Sequence, residues 1–371
     1  MPKKILIVSR SFYPMNSPRS FRTTELAKEF ARQGHEVTVL TPKMPEHSDF
    51  EKEYGLTIKD LGKQTWKPIE LKGTGISLLL RRAIRRFSNL LIDYPNIQLM
   101  GMVEKALKKE KQRYDLLISI AVPYPIHWGV AKVWKKESDK NPAKVWIADC
   151  GDPFMGAEND TFKPPFYFKY IEKWFCKKVD YLTVPVKTAI QAYYQEFHDK
   201  IKVIPQGFNF DEVKTAPKEE KPYPHFAYAG GLIPGRRDPK AFFEHLIRLE
   251  EDYLFDVYTN SEALVKPYAN KSNGRIRIKQ YTPRQDLLFE LSKLDFLVNF
   301  ENAGQKQIPS KLIDYSIINK PILAVNSFHY DPKVTNEFFR GYYSNAFKLE
   351  NLEDYKIENV ASKFLKLSEI S

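Results

Sequence analysis

The sequence is poor in cysteine and has no long apolar segment. Its 371 residues include two cysteines, Cys150 and Cys176, which give neither a metal-ligand spacing nor a disulfide framework. No run of ~18 apolar residues occurs, and the apolar run that follows Lys4 is too short for the core of a signal peptide. These absences predict a cytoplasmic protein that does not span a membrane and has no tight zinc site, with both cysteines as small buried side chains.

Glycine is missing where a dinucleotide-binding fold needs it. The first predicted strand is followed by SRSFYPMNSPRSFR, at the position of a G-x-G-x-x-G loop, and nicotinamide or flavin binding by this half is therefore disfavoured. Asn16, Ser17 and the free amides of the next helix still suit an anion, helped by Arg19 and Arg22. The alternative is an ordinary capped helix with two surface arginines.

Acidic residues are too few to balance the basic ones in the first half of the chain. The net charge is +12, and residues 1–205 hold 35 Lys and Arg against 23 Asp and Glu, while residues 206–371 hold 23 of each class. The excess therefore lies in the first half. It predicts an anionic partner for that half: a phospholipid, a nucleic acid or a phosphorylated substrate.

Strands and helices alternate along the whole chain. KKILIVS predicts a buried strand, SPRSFRTTELAKEFARQG a helix capped by Ser17, and HEVTVLTP a second strand, which is how a parallel, Rossmann-like sheet begins. The polar, proline-bearing residues 207–224 predict a linker, after which a second such series starts. We therefore predict an α/β protein with Rossmann-like domains over 1–206 and 207–350, and a terminal helix over 351–371 that packs back on the first.

Three polar residues of the first half follow predicted strands, where ligands of open α/β sheets bind. His127 lies in a proline-constrained turn within AVPYPIHWGVAK and is predicted to face a ligand or, alternatively, to be structural. Asp149 and Asp152 form a D-x-x-D pair in IADCGDPF. This pair is predicted to receive an acceptor hydroxyl or, alternatively, to cap a helix or a turn.

Two stretches of the second half combine cations with backbone amides. YAGGLIPGRRDP places Gly230 and Gly231 in a loop before Arg236 and Arg237, which suits a diphosphate because glycines allow close approach of the backbone and arginine forks match phosphate oxygens.

In the second stretch, IPSKLID, Ser310 is predicted to cap a helix. Lys311 lies in its first turn and Asp314 lies one turn later. An anion beside Lys311 and ribose hydroxyls on Asp314 would suit a nucleoside diphosphate, and the alternative is a surface salt bridge.

The basic excess is concentrated in ISLLLRRAIRRFSNLLI. At ~100° per residue the four arginines fall on one arc of a helix and the large apolar residues on the other. This amphipathic pattern predicts attachment to an anionic membrane surface, and the alternative is a helix packed on the first domain with solvated arginines. The arginines are Arg81, Arg82, Arg85 and Arg86.

Four stretches together resemble the retaining glycosyltransferases of family four, which have the GT-B fold. They are ILIVSRSFYP with RTTELAKEFARQGHEVTVLTP, VIPQGFNFDEV, YAGGL with RRDP, and IPSKLIDYSIINKPILAV. The resemblance implies two Rossmann-like domains facing each other across a cleft. The first domain would take the acceptor and the second would bind the nucleotide sugar.

The resemblance also implies roles for single residues. Arg236 or Arg237, together with Lys311, would hold the donor diphosphate. The catalytic residues would be Arg237, Lys311 and His127, of which His127 touches the sugar. The further donor contacts implied by the resemblance and by the loops above are Asn16, Ser17, Gly230, Gly231, Arg236, Tyr281, Thr282, Glu301, Ser310 and Asp314. The unusual NAGQKQ stretch, residues 302–307, is predicted to choose the sugar.

The function that these features predict is retaining transfer of a sugar from a nucleotide sugar to a lipid-linked or polysaccharide acceptor, without metal or cofactor, on the inner face of the cell membrane. One alternative is a nucleotide-sugar 2-epimerase of the same fold, which needs no basic acceptor surface. Another is a nucleic-acid-binding protein, against which the neutral second half and the lack of an aromatic-interleaved basic patch argue.

Overall fold

The computed structural model describes residues 1–136, 138–156, 163–301 and 310–369. The chain divides into two compact units, which are described separately. The first comprises Met1–Phe208 and Ile357–Ser371, and the second comprises Asn209–Lys356.

The first unit is a parallel sheet of seven strands with helices between them. Its strands are β1 (Lys4–Ser9), β2 (Glu36–Thr41), β3 (Thr57–Asp60), β4 (Tyr114–Ala121), β5 (Ala143–Cys150), β6 (Tyr181–Val184) and β7 (Ile201–Val203). Its first six helices are α1 (Pro18–Arg32), α2 (His47–Tyr54), α3 (Gly75–Ile92), α4 (Gln98–Lys109), α5 (Pro125–Val133) and α6 (Phe168–Lys178). Two 3₁₀ turns, Lys187–Ala192 and Gln195–Lys200, precede β7.

The second unit repeats this plan on a smaller scale. Its strands are β8 (His225–Ala229), β9 (Leu254–Tyr258), β10 (Ile276–Lys279), β11 (Phe296–Phe300) and β12 (Ile322–Val325). Its helices are α7 (Lys240–Arg248), α8 (Glu262–Lys271), α9 (Arg284–Ser292), α10 (Ser310–Ile317) and α11 (Pro332–Phe339), followed by the 3₁₀ turn Leu352–Tyr355.

Both sheets have the strand order of a Rossmann-like fold. The order is β3-β2-β1-β4-β5-β6-β7 in the first unit and β10-β9-β8-β11-β12 in the second, and every pairing between these strands is parallel. Each sheet therefore starts near its middle, and the order in which strands are added reverses between β1 and β4 and between β8 and β11. In such sheets the loops at the carboxyl ends of these strands are the usual ligand sites.

The last helix, α12 (Ile357–Leu367), belongs to the first unit and packs on α1. Its amide at Ile357 donates to the Phe208 carbonyl at 2.9 Å. Val360 and Phe364 are fully buried in the same apolar cluster as the inner residues of β1 and α1. The apolar spacing of the terminal segment is thus used to cover one face of the first sheet.

Several local predictions are confirmed and one is wrong. Ser17 caps α1, where its hydroxyl accepts a hydrogen bond from the Ser20 amide at 3.2 Å, and Gly34 follows the helix with φ 81. The stretch around His127, predicted as a turn, forms the helix α5, because its apolar residues pack inward along the helix. No helix in the described ranges has the length and apolarity needed to cross a bilayer.

Candidate functional site

The second unit has a pocket at the carboxyl ends of β8 and β9, which we call the carboxyl-edge pocket. Its volume is about 290 Å³. Ala229–Gly231, Tyr258 and Asn260 line one side, and α9 contributes an apolar side that includes Leu288. Lys311, Asp314 and Tyr315 from α10 close it, together with Tyr281, Thr282 and Arg284. The pocket lies beside the point where the strand order reverses, as expected for a Rossmann-like sheet.

Gly230 shapes the wall of this pocket. Its φ of 146 is a conformation that side chains rarely adopt, and its amide donates to the Tyr258 carbonyl at 2.9 Å. A Cβ at this position would lie 3.1 Å from the Tyr228 hydroxyl and 3.7 Å from the Lys311 amine. Glycine therefore keeps the backbone close to these two groups.

Replacing Gly230 by alanine should destabilise the fold, whereas the same change at Gly231 should not. We expect Gly230→Ala to lower the free energy of unfolding by about 1–3 kcal/mol because of the backbone strain. A Cβ at Gly231 would meet no atom within 4 Å, and φ is not positive there, so Gly231→Ala is the matched control. Urea denaturation measures both, and equal midpoints for the two variants would contradict this account.

Lys311 places a buried amine at the edge of the pocket without a hydrogen-bonding partner. Its Nζ is inaccessible to solvent, lies 4.3 Å from the centroid of the Tyr228 ring, and makes no hydrogen bond within the described ranges. Burial, and secondly the charge of Arg237, lower the pKa of this amine to about 7. An uncompensated amine in this position favours binding of an anion.

Arg237 is the second cation beside Lys311. It ends a tight turn in which the Ile233 amide donates to the Arg237 carbonyl at 3.1 Å. Its Nε is also buried and has no partner in the described part of the chain. Burial raises the pKa of the Tyr228 hydroxyl to about 12, against the opposing effect of the Arg237 guanidinium. Arg236 is exposed, so the structure brings Arg237 rather than Arg236 to Lys311.

Asp314 lies in the pocket but is already paired with an arginine that the sequence patterns did not single out. Its Oδ1 accepts hydrogen bonds from Arg284 Nε at 3.0 Å and Arg284 Nη2 at 2.5 Å. Burial raises the pKa of Asp314 above its ordinary value, although Arg284 opposes this rise. The alternative of a surface salt bridge between Asp314 and Lys311 is therefore wrong. Arg284 begins α9 after the loop that follows β10, and its position beyond the carboxyl end of a strand was the signal that could have identified it.

The other predicted residues of the second unit lie around this centre. Tyr281 and Thr282 line the outer wall, where Tyr281 is exposed and Thr282 is half-buried. Ser310 is the first residue of α10, and its predicted cap position depends on residue 309, outside the described ranges. Glu301 accepts a hydrogen bond from Asn326 at 3.2 Å and does not line the pocket. The prediction for residues 302–307 also falls outside the described residues.

In the first unit, Asp149 is part of a buried network and does not form a pair with Asp152. Its carboxylate accepts hydrogen bonds from Arg22 at 2.8 and 3.0 Å and from the Thr183 hydroxyl at 2.7 Å. Burial acts to raise its pKa, but Arg22, followed by Arg19, holds it below the ordinary value. Asp152 is exposed, so the D-x-x-D interpretation as one site is corrected.

The two arginines that were predicted to help Asn16 and Ser17 bind an anion at the start of α1 are used elsewhere, while the anion site itself stays a prediction. Arg22 is buried and turned toward Asp149, and Arg19 Nη1 lies 3.9 Å from the same carboxylate. Neither is the surface arginine that the alternative assumed. The Ser17 hydroxyl is used as the helix cap, and Asn16 is exposed beside it.

His127 lies in the core of the first unit. It is fully buried, its Nδ1 is 2.7 Å from the Ser119 hydroxyl, and its Nε2 is 3.6 Å from Cys150 Sγ. Burial lowers the pKa of the ring to about 3, although the charge of Asp149 opposes this, and the ring is therefore neutral near pH 7. The interpretation as a ligand-facing histidine is corrected, because Ser119 and Cys150 occupy its two nitrogens.

The helix α3 carries the four arginines as predicted, and it is not packed into the core. None of its residues is buried. Arg82, Arg85 and Arg86 line a cavity of about 400 Å³ whose other lining residues include Pro68, Ile69, Leu71 and Tyr94. The apolar face of α3 is therefore not covered within the described part of the first unit, and the four arginines are exposed, as both interpretations expected.

Similarity to known proteins agrees with this architecture. The sequence model described as Glycosyltransferase Family 4 matches residues 21–212, more than half of the chain. No curated protein sequence shows a significant match.

Solved structures of glycosyltransferases align along nearly the whole chain. A glycosyltransferase from Rickettsia africae ESF-5 has 12% identity and a TM-score of 0.63, with 100% of this chain and 98% of that chain covered. Anabaena HepE in complex with UDP-glucose has 9% identity and a TM-score of 0.58, with 100% of both chains covered. The lipopolysaccharide outer core galactosyltransferase WaaB has 11% identity and a TM-score of 0.56, with 99% of both covered. At these identities the likeness concerns the fold, and it confirms the predicted GT-B fold with two Rossmann-like domains.

Proposed function

The chain belongs to glycosyltransferase family 4, and on that premise we propose that it transfers a sugar from a nucleotide-sugar donor to a lipid-linked or growing surface glycan, with retention of the anomeric configuration. The donor binds in the carboxyl-edge pocket of the second unit. The similar HepE was solved with UDP-glucose, which supports a nucleotide sugar as the donor. The similar WaaB is a galactosyltransferase of the lipopolysaccharide outer core, which supports a surface glycan as the acceptor.

The observation that carries this proposal is the buried Lys311 amine, together with the buried Nε of the half-buried Arg237 beside it; neither nitrogen has a hydrogen-bonding partner in the described residues. Burying such groups is unfavourable unless an anion compensates them. A diphosphate supplies the required charge and several acceptor oxygens. Arginine binds such oxygens in a planar fork and lysine binds them as a point charge.

The remaining donor contacts follow from the shape of the pocket. The glycine backbone at 230 and 231 lies beside the diphosphate, with the exposed Arg236 near its outer end. Asp314 Oδ2 receives a ribose hydroxyl, while Arg284 fixes the carboxylate through Oδ1. The exposed ring of Tyr281 and the backbone at Thr282 contact the base. Ser310 and Glu301 remain predictions for the diphosphate and the sugar.

Lys311 and Arg237 also have a role in the chemistry. As the bond between the anomeric carbon and the diphosphate breaks, negative charge grows on the leaving oxygen. Cationic groups already fixed beside that oxygen stabilise it without reorganisation. The departing phosphate can accept the proton of the acceptor hydroxyl on the same face of the sugar, which gives retention. The two side chains supply the positive charge that a metal supplies elsewhere, so we propose a metal-independent reaction.

The first unit is proposed to take the acceptor and to hold the enzyme at the inner face of the cell membrane. All of the net positive charge lies in residues 1–205. The four arginines of α3 are exposed and therefore able to meet phosphate groups of lipids or of a lipid-linked acceptor.

Two measurements test the proposed function. A thermal-shift screen of nucleoside diphosphates and nucleotide sugars should give a rise in melting temperature with at least one nucleotide, because a ligand that binds only the native state stabilises it. The stabilising donor should then lose its sugar faster when a lipid-linked glycan is added, with a glycosylated product. If no nucleotide raises the melting temperature, the proposed donor site is wrong.

Donor binding should weaken as the pH rises above 7. The free Lys311 amine has a pKa of about 7, so above this pH it must take up a proton before it can bind an anion. We expect the affinity for the nucleoside diphosphate to fall by up to about tenfold per pH unit above that value, with proton uptake on binding. Isothermal titration calorimetry in buffers of different ionisation enthalpy measures both quantities.

The control for this pH dependence is Lys311→Arg. A guanidinium stays charged throughout the same range. The affinity of that variant should therefore be flat between about pH 7 and 9, and a wild-type profile with the same flat shape would show that Lys311 does not titrate on binding.

A further inference from the structure

The apolar face of α3 is exposed along its whole length. Large side chains on this face are 46–84% exposed, and no residue of the helix is buried. A folded domain normally covers a contiguous apolar face of this size, because exposing it to water is unfavourable. These side chains are Ile76, Leu79, Leu80, Ile84, Phe87 and Leu91.

Cations flank this apolar face. On a helical projection at ~100° per residue, Arg86 falls next to Leu79 and Arg81 falls beyond Ile84. The helix contains no Asp or Glu. An apolar face bordered by arginines is the pattern of a helix that lies in a membrane interface, with its long cationic side chains reaching the headgroups.

A second exposed apolar group lies at the carboxyl end of α3. The Tyr167 hydroxyl donates a hydrogen bond to the Leu91 carbonyl, which ties the start of α6 to the end of α3. Phe166 and Tyr170 on either side of it are 72% and 60% exposed. The Lys169 amine lies 4.9 Å from the centroid of the Tyr170 ring. Exposed aromatic rings next to a lysine are typical of the membrane-water interface.

We infer that the apolar face of α3 and the Phe166–Tyr170 segment form one insertion surface that enters the outer acyl region of an anionic lipid bilayer. The inference rests on the proposed function, which supplies the binding partner of this surface: the membrane that carries the acceptor. Membrane binding then requires charge and, in addition, insertion of apolar side chains from both α3 and the Phe166–Tyr170 segment. A second copy of the chain fits less well, because pairing two such faces would bring the arginines of both copies together.

The insertion surface is tested by sedimentation with lipid vesicles. Wild type should bind vesicles of phosphatidylcholine with phosphatidylglycerol and bind phosphatidylcholine alone more weakly. Phe87→Ser and Phe166→Ser should each lower the partition coefficient about tenfold, because each removes a ring that enters the bilayer. The double variant Arg81→Gln and Arg86→Gln should lower it roughly thirtyfold, and only on the anionic vesicles.

The matched control is Phe328→Ser in the second unit, whose ring is 57% exposed and should not enter the bilayer. If Phe87→Ser and Phe166→Ser bind as wild type does, or if wild type does not bind, the inference is wrong. If those variants instead convert a dimer to a monomer in light scattering, the face is an interface between copies and the inference is also wrong. Nucleoside diphosphate binding in solution reports on the proposed function separately, and it should be unchanged in all of these variants.

Discussion

Replacing Lys311 by methionine should abolish donor binding and make the free protein more stable. Loss of binding and gain of stability are expected together, because the same buried amine binds the ligand and destabilises the free protein. Without a bound anion, burial of the unpaired amine destabilises the folded protein. Methionine has a similar length and no charge, so we expect Lys311→Met to raise the free energy of unfolding by roughly 1–3 kcal/mol. With a diphosphate bound, the same charge is the main partner of the ligand. We expect its loss to weaken binding roughly hundredfold or more.

The stability effect should depend on pH. The pKa of Lys311 is about 7 in the folded protein and near its ordinary 10.5 in the unfolded chain, so unfolding takes up a proton between these values. The wild type therefore becomes more stable as the pH rises from about 7 toward 10.5. Lys311→Met lacks this dependence, and its advantage should be largest at or below about pH 7. Urea denaturation at several pH values measures this difference.

The control is Lys320→Met in the same unit. The Lys320 amine donates to the Leu294 carbonyl at 2.7 Å and lies outside the carboxyl-edge pocket. That variant should lose stability and keep donor binding, which is the opposite pattern. If Lys311→Met binds nucleoside diphosphate as tightly as wild type, the donor site is not where we place it.

What the sequence predicted well depends on residues that are close together along the chain. The strand-helix alternation, the Ser17 cap and the position of Lys311 in the first turn of α10 are local patterns, because periodicity and capping act within a few residues. The exposed amphipathic helix α3 is also local. These features were enough to predict two Rossmann-like domains and one half of the candidate site.

What the sequence did not predict depends on contacts between distant residues. Arg284 and Asp314 are 30 residues apart, and their pairing follows from the way α9 and α10 border the same pocket. The choice between Arg236 and Arg237 depends on the turn closed by Ile233, which propensities do not decide. The prediction that His127 faces a ligand is wrong because a lone polar side chain in an apolar stretch looks exposed until its partner, Ser119, is known.

Asp149 and Arg22 show the same limit most clearly. They are 127 residues apart, and the local sequence of each predicts a surface group for a ligand. In the structure they neutralise each other in the core, and Arg22 also donates to the carbonyls of Ile204 and Pro205. The pair thus joins α1, β5 and the segment that follows β7. Its role is to hold the first unit together.

Replacing Asp149 by asparagine should therefore destabilise the first unit strongly. Asparagine keeps the shape but leaves the guanidinium of Arg22 buried without its counter-charge, and breaking a buried pair in this way costs about 3–5 kcal/mol. Because Arg22 holds the pKa of Asp149 below its ordinary value, the pair stabilises the fold above about pH 4 and loses this effect as the pH falls further. Asp149→Asn should not show this acid-dependent loss.

Three further variants separate a broken pair from a generally sensitive core. Asp139→Asn removes an exposed ion pair with Arg113 at 3.2 Å and should cost less than about 1 kcal/mol. The double variant Arg22→Met and Asp149→Leu removes both charges and should recover part of the stability that Asp149→Asn loses, because no unpaired charge is then buried. Thr183→Val removes one 2.7 Å hydrogen bond to Asp149 and should cost about 1 kcal/mol. If Asp149→Asn unfolds at the same urea concentration as the wild type and binds nucleotide equally well, the pair does not hold the unit together.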